Sequence, residues 1–407
     1  MPFARLYNQL QSQALYTGAV FSILLIFVIP FSTALTTLFS FLIFLIWLLS
    51  GQFMQLPVLL KRNPTALFAF ALFTALTLAI FYSPVPVQEG LSGLKKYHEL
   101  LLLVVLLGFL DQENFYRWGF YALFLSLLIT LISSYAIYFD FLPAPESARA
   151  SPSLKMRITH SLFMAFLAFY CAHQLIDNPA WRRFWIVLFL LSTCNLFFMI
   201  DGRTGQLLYF LLSFLFSYQR LSKFKAAAFI GFNILFFIFF LNFSSGGQRI
   251  HEGIANSRSY LQGHTETHSS MGQRLTFWKH SIELIAEKPL LGHGTGSFAS
   301  QYARVAAADD IKTSNAHNEF LMLGVQTGLL GILLFLGLLF SYYRQQKLLA
   351  AKQQWFAQGV LLTFTLNSLL NSTLLDHAEG HWFACLIALS LAPLTSTQAA
   401  EKPTQSC

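Results

Sequence analysis

Twelve apolar runs, most of them long enough to span a bilayer as helices, dominate this sequence and leave little of it for anything else. Between polar, Pro or Gly punctuation they fall at about 17–34, 35–50, 65–83, 97–110, 118–139 and 158–176. Six more follow at about 183–200, 205–219, 225–243, 318–342, 355–373 and 382–396. A helix crossing hydrocarbon takes roughly 20 apolar residues, so twelve would use roughly 240 of the 407 positions. Connections and one larger segment remain, with no room for a separate soluble domain. Hydrophobic residues at 55%, charged residues at 11% and a mean hydropathy of +0.56 agree, since water would hardly keep such a chain in solution. The expectation is an all-α integral membrane protein of about 12 transmembrane helices. Helices 1–9 fall within 1–243, a long loop within 244–317, helices 10–12 within 318–396 and a tail within 397–407.

The segment from Met1 to Thr17 is mildly polar and lacks a short apolar core followed by a small-residue cleavage site, so the first helix is expected to direct insertion itself. Cys171, Cys194 and Cys385 fall inside apolar runs and Cys407 is the last residue, which argues against disulfides and a cysteine-held zinc. The net charge of +8 is ordinary for a membrane protein that retains Lys and Arg on its cytoplasmic side. With the N-terminus in the cytoplasm, Lys61 and Arg62, Arg117, Arg182 and Arg183, Arg220 with Lys223 and Lys225, and Arg344 with Lys347 and Lys352 all lie on that side. The opposite short loops carry fewer cations, among them Lys95, Lys96, Arg149, Lys155, Arg157 and Arg203. The long loop does not vote, because long loops cross whatever their charge.

Within that loop Gln248 to Lys288 is polar and rich in Arg and His, and Gln273 to Ala286 places Leu275, Trp278, Ile282 and Ile285 at helical spacing. This predicts a helix lying against the membrane surface, closed by Pro289 and the turn from Gly292 to Gly296. No internal repeat is evident, which weakens a transporter built from duplicated halves.

Three residues stand out chemically. Arg203, in Asp201-Gly202-Arg203-Thr204-Gly205, sits on the side where the charge bias gives it no reason to be. It is either paired with Asp201, snorkelling to headgroups, or placed to hold an anion. Arg274, in Gly272-Gln273-Arg274-Leu275, begins the amphipathic helix opposite its apolar face, where a planar guanidinium either meets water or matches phosphate oxygens in pairs. His317, in Ser314-Asn315-Ala316-His317-Asn318-Glu319, lies where the long loop re-enters the membrane. Histidine accepts a proton near neutral pH, so a base beside cations suits group transfer from a lipid diphosphate; the alternative is an interfacial histidine bonded to a neighbour. Gly324, Gly328 and Gly331 recur on one helix face, as close helix packing requires. No Asp-x-Asp pair and no convincing acidic cluster in the loop point to a metal, and no Gly-rich Lys-Ser/Thr motif points to ATP.

His317-Asn318, nine residues, then Gly328-Leu329-Leu330-Gly331 resembles the histidine signature of the bacterial O-antigen ligase family. Gly202-Arg203-Thr204-Gly205, Arg274 before Phe277-Trp278, and Pro289 to Phe298 resemble it too, so that the likeness covers roughly 200–335 in detail. The resemblance implies a GT-C-like, metal-independent and inverting glycosyltransferase of the bacterial inner membrane, with no cofactor and its active site facing the periplasm. It would move a polysaccharide from undecaprenyl pyrophosphate to a core sugar of lipid A. On the family's pattern His317 would deprotonate the acceptor hydroxyl while Arg203 and Arg274 hold the pyrophosphate. Asn318, His160 in Arg157-Ile158-Thr159-His160, and Asp376 between the last two helices are weaker candidates. O-antigen polymerases and protein O-oligosaccharyltransferases share the signature, and a lipid-linked sugar transporter is the alternative without chemistry.

Overall fold

The computed structural model describes residues 2–110, 113–148, 151–243, 245–261, 270–307 and 310–400. It is helical throughout, with no strand among the described residues. In chain order the helices are α1 (Pro2–Val28), α2 (Thr33–Leu49), α3 (Leu56–Arg62), α4 (Pro64–Leu78), α5 (Val87–Lys95) and α6 (Glu99–Phe109). Then come α7 (Glu113–Tyr138), α8 (Arg157–Asp177), α9 (Arg182–Cys194), α10 (Arg203–Arg220), α11 (Lys223–Phe243) and α12 (Ser245–Leu261). The last five are α13 (Ser270–Glu287), α14 (Phe298–Val305), α15 (Glu319–Gln346), α16 (Ala351–Leu370) and α17 (His377–Ala400).

Each of the twelve apolar runs lies on one of these helices. Among the described residues, five helical segments are long and apolar enough to cross a membrane, and a sixth crossing is added if α2 and the segment Gln52–Arg62, bent by 77°, form one span. Most of the other helices on apolar runs differ from these in one of two ways. Helices α4 and α6 have only 15 and 11 residues. Helices α8, α16 and α17 are longer but carry His160 and His173, Asn367, and Glu379 and His381, all buried. Those polar groups are turned inward into hydrogen bonds, as they must be in a bundle whose outside faces hydrocarbon. The outer surface fits that solvent: Phe232, Leu235 and Phe243 of α11 are exposed, and only Asn233 and Phe240 of that helix are buried. Inside, α4 packs on α15, α8 on α9 and α10, and α17 on α6 and α7, around one core that includes Phe163, Phe166, Phe356 and Trp382.

The loop expected to hold one surface helix contains three, α12, α13 and α14, and its residues 262–269 lie outside the described ones, as do tail residues 401–407. Helix α13 packs through a face only partly shared with the expected stripe, of which Trp278 and Ile285 lie against the core. Phe277, Ser281 and Leu284 are buried, whereas Ile282 is exposed. The reason is a second small core, in which Phe277 and Leu284 meet Phe298 and Tyr302 of α14 and Met322 and Val325 of α15. A protein surface, not a lipid one, selects that face. Arg274, one turn before Phe277, consequently lies at the margin of the buried face and not opposite it.

Of the three glycines expected to allow close helix packing, Gly324 does so against Ile285 of α13, whereas Gly328 acts differently. Gly328 has φ +62° and ψ −154°, a conformation open essentially to glycine, and it breaks α15. The break frees backbone groups that the segment after α13 takes up. Leu329 N–H donates to the Pro289 carbonyl at 2.7 Å, while His293 and Gly294 N–H donate to the Val325 and Gln326 carbonyls at 2.8 Å each. Thr295 Oγ1 then donates to the Leu76 carbonyl at 2.6 Å, tying the turn to α4. A Cβ on Gly328 would collide with the Leu290 backbone. Gly328→Ala is expected to cost about 1–3 kcal/mol from backbone conformation alone, read as a lower melting temperature in detergent; an unchanged one would refute a glycine-dependent break.

Candidate functional site

Two adjoining cavities open among α8, α10, α12 and α13. The first, about 370 Å³, is lined by Asp201, Gly202, Arg203 and Thr204 from the start of α10, by Glu252, Gly253 and Asn256 of α12, and by Arg157, Met271 and Arg274. The second, about 330 Å³, is lined by Met156, Arg157, Gln273, Arg274, Phe277 and His317. Arg157 and Arg274 belong to both. The three residues singled out by the sequence are thus gathered from three separate segments: Arg203 in one cavity, His317 in the other and Arg274 between.

Arg203 is the first residue of α10, not a member of a free turn. The preceding helix ends in a π-turn over Asn195–Met199, an irregularity that redirects the chain. Gly202 and Gly205 then lie so close to Ser161 of α8 that a Cβ on either would overlap it. This contact brings the N-terminus of α10, with its partial positive charge, beside Arg157 at the N-terminus of α8. Gly253 of α12 faces the Arg203 guanidinium, and a Cβ there would stand 2.9 Å from Nη1.

Burial, and then the positive charges of Arg203 and Arg157, lower the pKa of Arg274; Glu379 opposes them. Arginine remains charged under such pressure, so Arg203 and Arg157 set two further positive charges within electrostatic reach of Arg274, in a lining that also holds Asp201 and Glu252.

His317 has φ +50°, a left-handed conformation uncommon outside glycine. Its N–H donates to Asn315 Oδ1 at 2.8 Å, and its ring Nδ1 lies 3.2 Å from Asn371 Oδ1. The amide orientation of Asn371 is set by Glu379, whose Oε2 accepts from Asn371 Nδ2 at 3.1 Å and from Asn367 Nδ2 at 2.6 Å, while Oε1 accepts from Thr159 Oγ1 at 3.0 Å. Asn371 therefore offers an oxygen to His317, so Nδ1 carries the proton and Nε2 holds the lone pair. Burial and the nearby Arg274 lower the histidine pKa, against the Asn371 hydrogen bond that raises it. The ring is thereby neutral and able to accept a proton at pH 7.

The weaker candidates are occupied elsewhere. Asn318 caps α15, its Oδ1 accepting from Leu321 N–H at 3.1 Å while Nδ2 donates to the Leu369 carbonyl at 3.0 Å. His160 is buried with Nε2 2.9 Å from Asn195 Oδ1, and it lines neither cavity. Asp376 accepts from Ala378 and Glu379 N–H at 3.0 and 3.2 Å, starting α17.

Sequence reasoning did not single out Arg157, Asn371 or Glu379. An acid at the edge of an apolar run is the signal that would have found Glu379, because carboxylates at or within the membrane are costly without a purpose. The same signal marks Glu99, which meets His98 and His381 away from both cavities.

The comparisons coincide with this geometry. Residues 186–336 match the family model described as O-antigen ligase, a stretch that holds Arg203, Arg274 and His317 but not Arg157, Asn371 or Glu379. A protein of Rickettsia bellii named "Putative polysaccharide ligase" is 31% identical over 102 residues, 23% of this chain and 24% of that protein. A similarly named protein of Rickettsia conorii is 31% identical over 88 residues, 19% of this chain and 21% of its own length. The chain thus aligns with less than a quarter of the length of these curated relatives.

Proposed function

We propose that this chain, whose residues 186–336 match the O-antigen ligase family model, is a membrane glycosyltransferase that moves a polysaccharide from undecaprenyl pyrophosphate to a lipid A-core sugar. The observation that carries this reading is the junction of two cavities at Arg274, with guanidiniums on one side and a neutral, oriented His317 on the other. The donor's pyrophosphate occupies the cavity of Arg203, Arg274 and Arg157. The acceptor hydroxyl enters beside His317 Nε2, which takes its proton as the oxygen attacks the anomeric carbon. The bond from that carbon to the phosphate oxygen breaks on the opposite face, inverting the centre. The pair of electrons leaves with undecaprenyl pyrophosphate, whose added charge the arginines stabilise. No cofactor enters any of these steps.

In this reading all twelve apolar helices cross or enter the inner membrane, the N-terminus is cytoplasmic and both cavities face the periplasm. The inner faces of α8, α10 and α13 would leave the cleft open sideways so that two lipid-linked substrates can meet.

Purified protein in lipid, given defined donor and acceptor lipids without added divalent metal, is expected to form the new glycosidic bond. A lipid-linked sugar transporter would form none, and an O-antigen polymerase or protein O-oligosaccharyltransferase would use another acceptor. The pH profile has a worked sign. Since the His317 pKa is lowered, its base form persists as pH falls through the ordinary histidine range, and turnover fails only below it. An acid limb at or above the ordinary value would count against His317 as the base.

A further inference from the structure

Two imidazoles meet where α6 and α17 begin, away from both cavities. His98 Nε2 and His381 Nε2 are 3.2 Å apart. Each ring's other nitrogen faces a main-chain oxygen: His98 Nδ1 is 2.7 Å from the Lys95 carbonyl, and His381 Nδ1 is 2.7 Å from the His377 carbonyl. A carbonyl can only accept, so both Nδ1 atoms carry the proton and both Nε2 atoms, in neutral rings, present lone pairs to each other. That arrangement repels unless something positive lies between them.

A shared proton and a metal ion are the two candidates, and ring geometry separates them. A hydrogen bond prefers a straight line through the proton, above about 150°. The ring centroids here are only 4.8 Å apart with planes inclined at 66°, so the rings meet at an angle instead of end to end. Lone pairs that converge at an angle point to a third position. The nitrogen separation also approaches the edge, about 3.3 Å, of a tetrahedron with bonds of about 2.0 Å to zinc.

The surroundings are those of a metal-ligating pair. Glu99 Oε1 lies 3.2 Å from His381 Nδ1 and Oε2 lies 3.5 Å from His98 Nδ1, the outer carboxylate that commonly fixes the tautomer of ligating histidines. Glu99 is 2% exposed, and its Oε2 has no hydrogen-bond partner, so one oxygen of this buried carboxyl is left unsatisfied by the protein alone. Gly380 admits it: a Cβ there would stand 3.1 Å from Glu99 Cγ. His377, one helical turn before His381, places a third ring 4.3 Å from it, with Nε2 now 3.1 Å from Thr37 Oγ1. The His98 side chain is 30% exposed and gives an ion a way in.

We propose that His98 and His381 bind one divalent ion of the zinc class through their Nε2 atoms, with Glu99 as outer-shell carboxylate. The ion would pin the N-terminus of α17 to that of α6. Imidazole ligands without thiolate suit zinc, copper or nickel and disfavour magnesium and calcium.

The full chain in lipid nanodiscs, loaded with zinc chloride and desalted, is expected to retain one zinc ion per chain by elemental analysis. His98→Gln and His381→Ala should each lose it, with folding checked by thermal melting of the same samples. Zinc should raise the melting temperature of the unaltered protein and leave that of His98→Gln unmoved. Cobalt(II) supplies a reading independent of any variant, since a low-symmetry site with nitrogen ligands gives intense visible bands. Unaltered protein that desalts free of zinc and binds cobalt without such bands would overturn the proposal in favour of a shared proton. Zinc retained equally by folded His98→Gln and His381→Ala would also overturn it. Neither readout involves glycosyl transfer.

Discussion

Replacing His317 with alanine is expected to reduce transfer by about 10²- to 10⁴-fold, the range a lost general base produces, with no loss of protein from the membrane. The fold should tolerate the change because the elements around the histidine are held by others. Asn318 caps α15 through Leu321 and reaches the Leu369 carbonyl, while the 289–294 segment is stitched to α15 near Gly328. Histidine tolerates the left-handed backbone at 317 somewhat better than alanine does, so the variant carries a small added backbone cost, and its melting temperature is measured alongside turnover. What alanine removes is the ring nitrogen facing the second cavity and the hydrogen bond to Asn371 Oδ1. Product formed per mole of reconstituted protein, from saturating donor and acceptor lipids, measures the effect. Wild-type turnover in a folded His317→Ala protein would remove the proposed base.

Helix positions were legible because lipid imposes one requirement, that a segment satisfy its own backbone and show apolar side chains. Runs such as 118–139 and 225–243 meet it on their own, and α7 and α11 lie on them. Features that depend on a partner were not legible. The break at Gly328 exists because Pro289 to Gly294 hydrogen-bonds to the freed backbone, a contact between segments some 35 residues apart that periodicity does not encode. The packed face of α13 was legible only in part, through Trp278 and Ile285, for a related reason. Leu275, Trp278, Ile282 and Ile285 form an apolar stripe, but Phe298 and Tyr302 of α14 offer a surface that Phe277 and Leu284 fit.

For the candidate site, polar residues stranded at the edges of apolar runs were the signal that singled out Arg203 and His317, which line adjoining cavities. It was not enough for the groups that orient them. Asn371 reads as an ordinary polar residue at a helix end, and its role depends on Glu379 turning its amide so that oxygen faces the histidine. Arg157 reads as one of several loop cations until the packing of Gly202 and Gly205 on Ser161 brings α8 and α10 together. The pairing of His98 with His381 spans 283 positions, beyond any spacing rule.

Arg274 is where the two halves of the proposed reaction meet, and its replacement should therefore be read twice. Arg274→Met is expected to lower transfer by about 10²- to 10³-fold, as loss of one charge-stabilising donor does. Arg274→Lys should lie between, since it keeps the charge but not the planar fork that matches two phosphate oxygens. Folding should survive, because Phe277 and Leu284 anchor α13 and the arginine lies at the margin of that face. The second reading is the pH profile. Arg274 is one of the causes that depress the His317 pKa, so its removal lets that value rise toward the ordinary one. The base form is then lost at a higher pH, and the acid limb of the residual activity moves upward in Arg274→Met but stays in Arg274→Lys. A pure binding role would weaken donor affinity and leave the limb unmoved in both. An upward shift confined to the methionine variant would place the arginine's charge within reach of the base, as a site that couples proton removal to pyrophosphate departure requires.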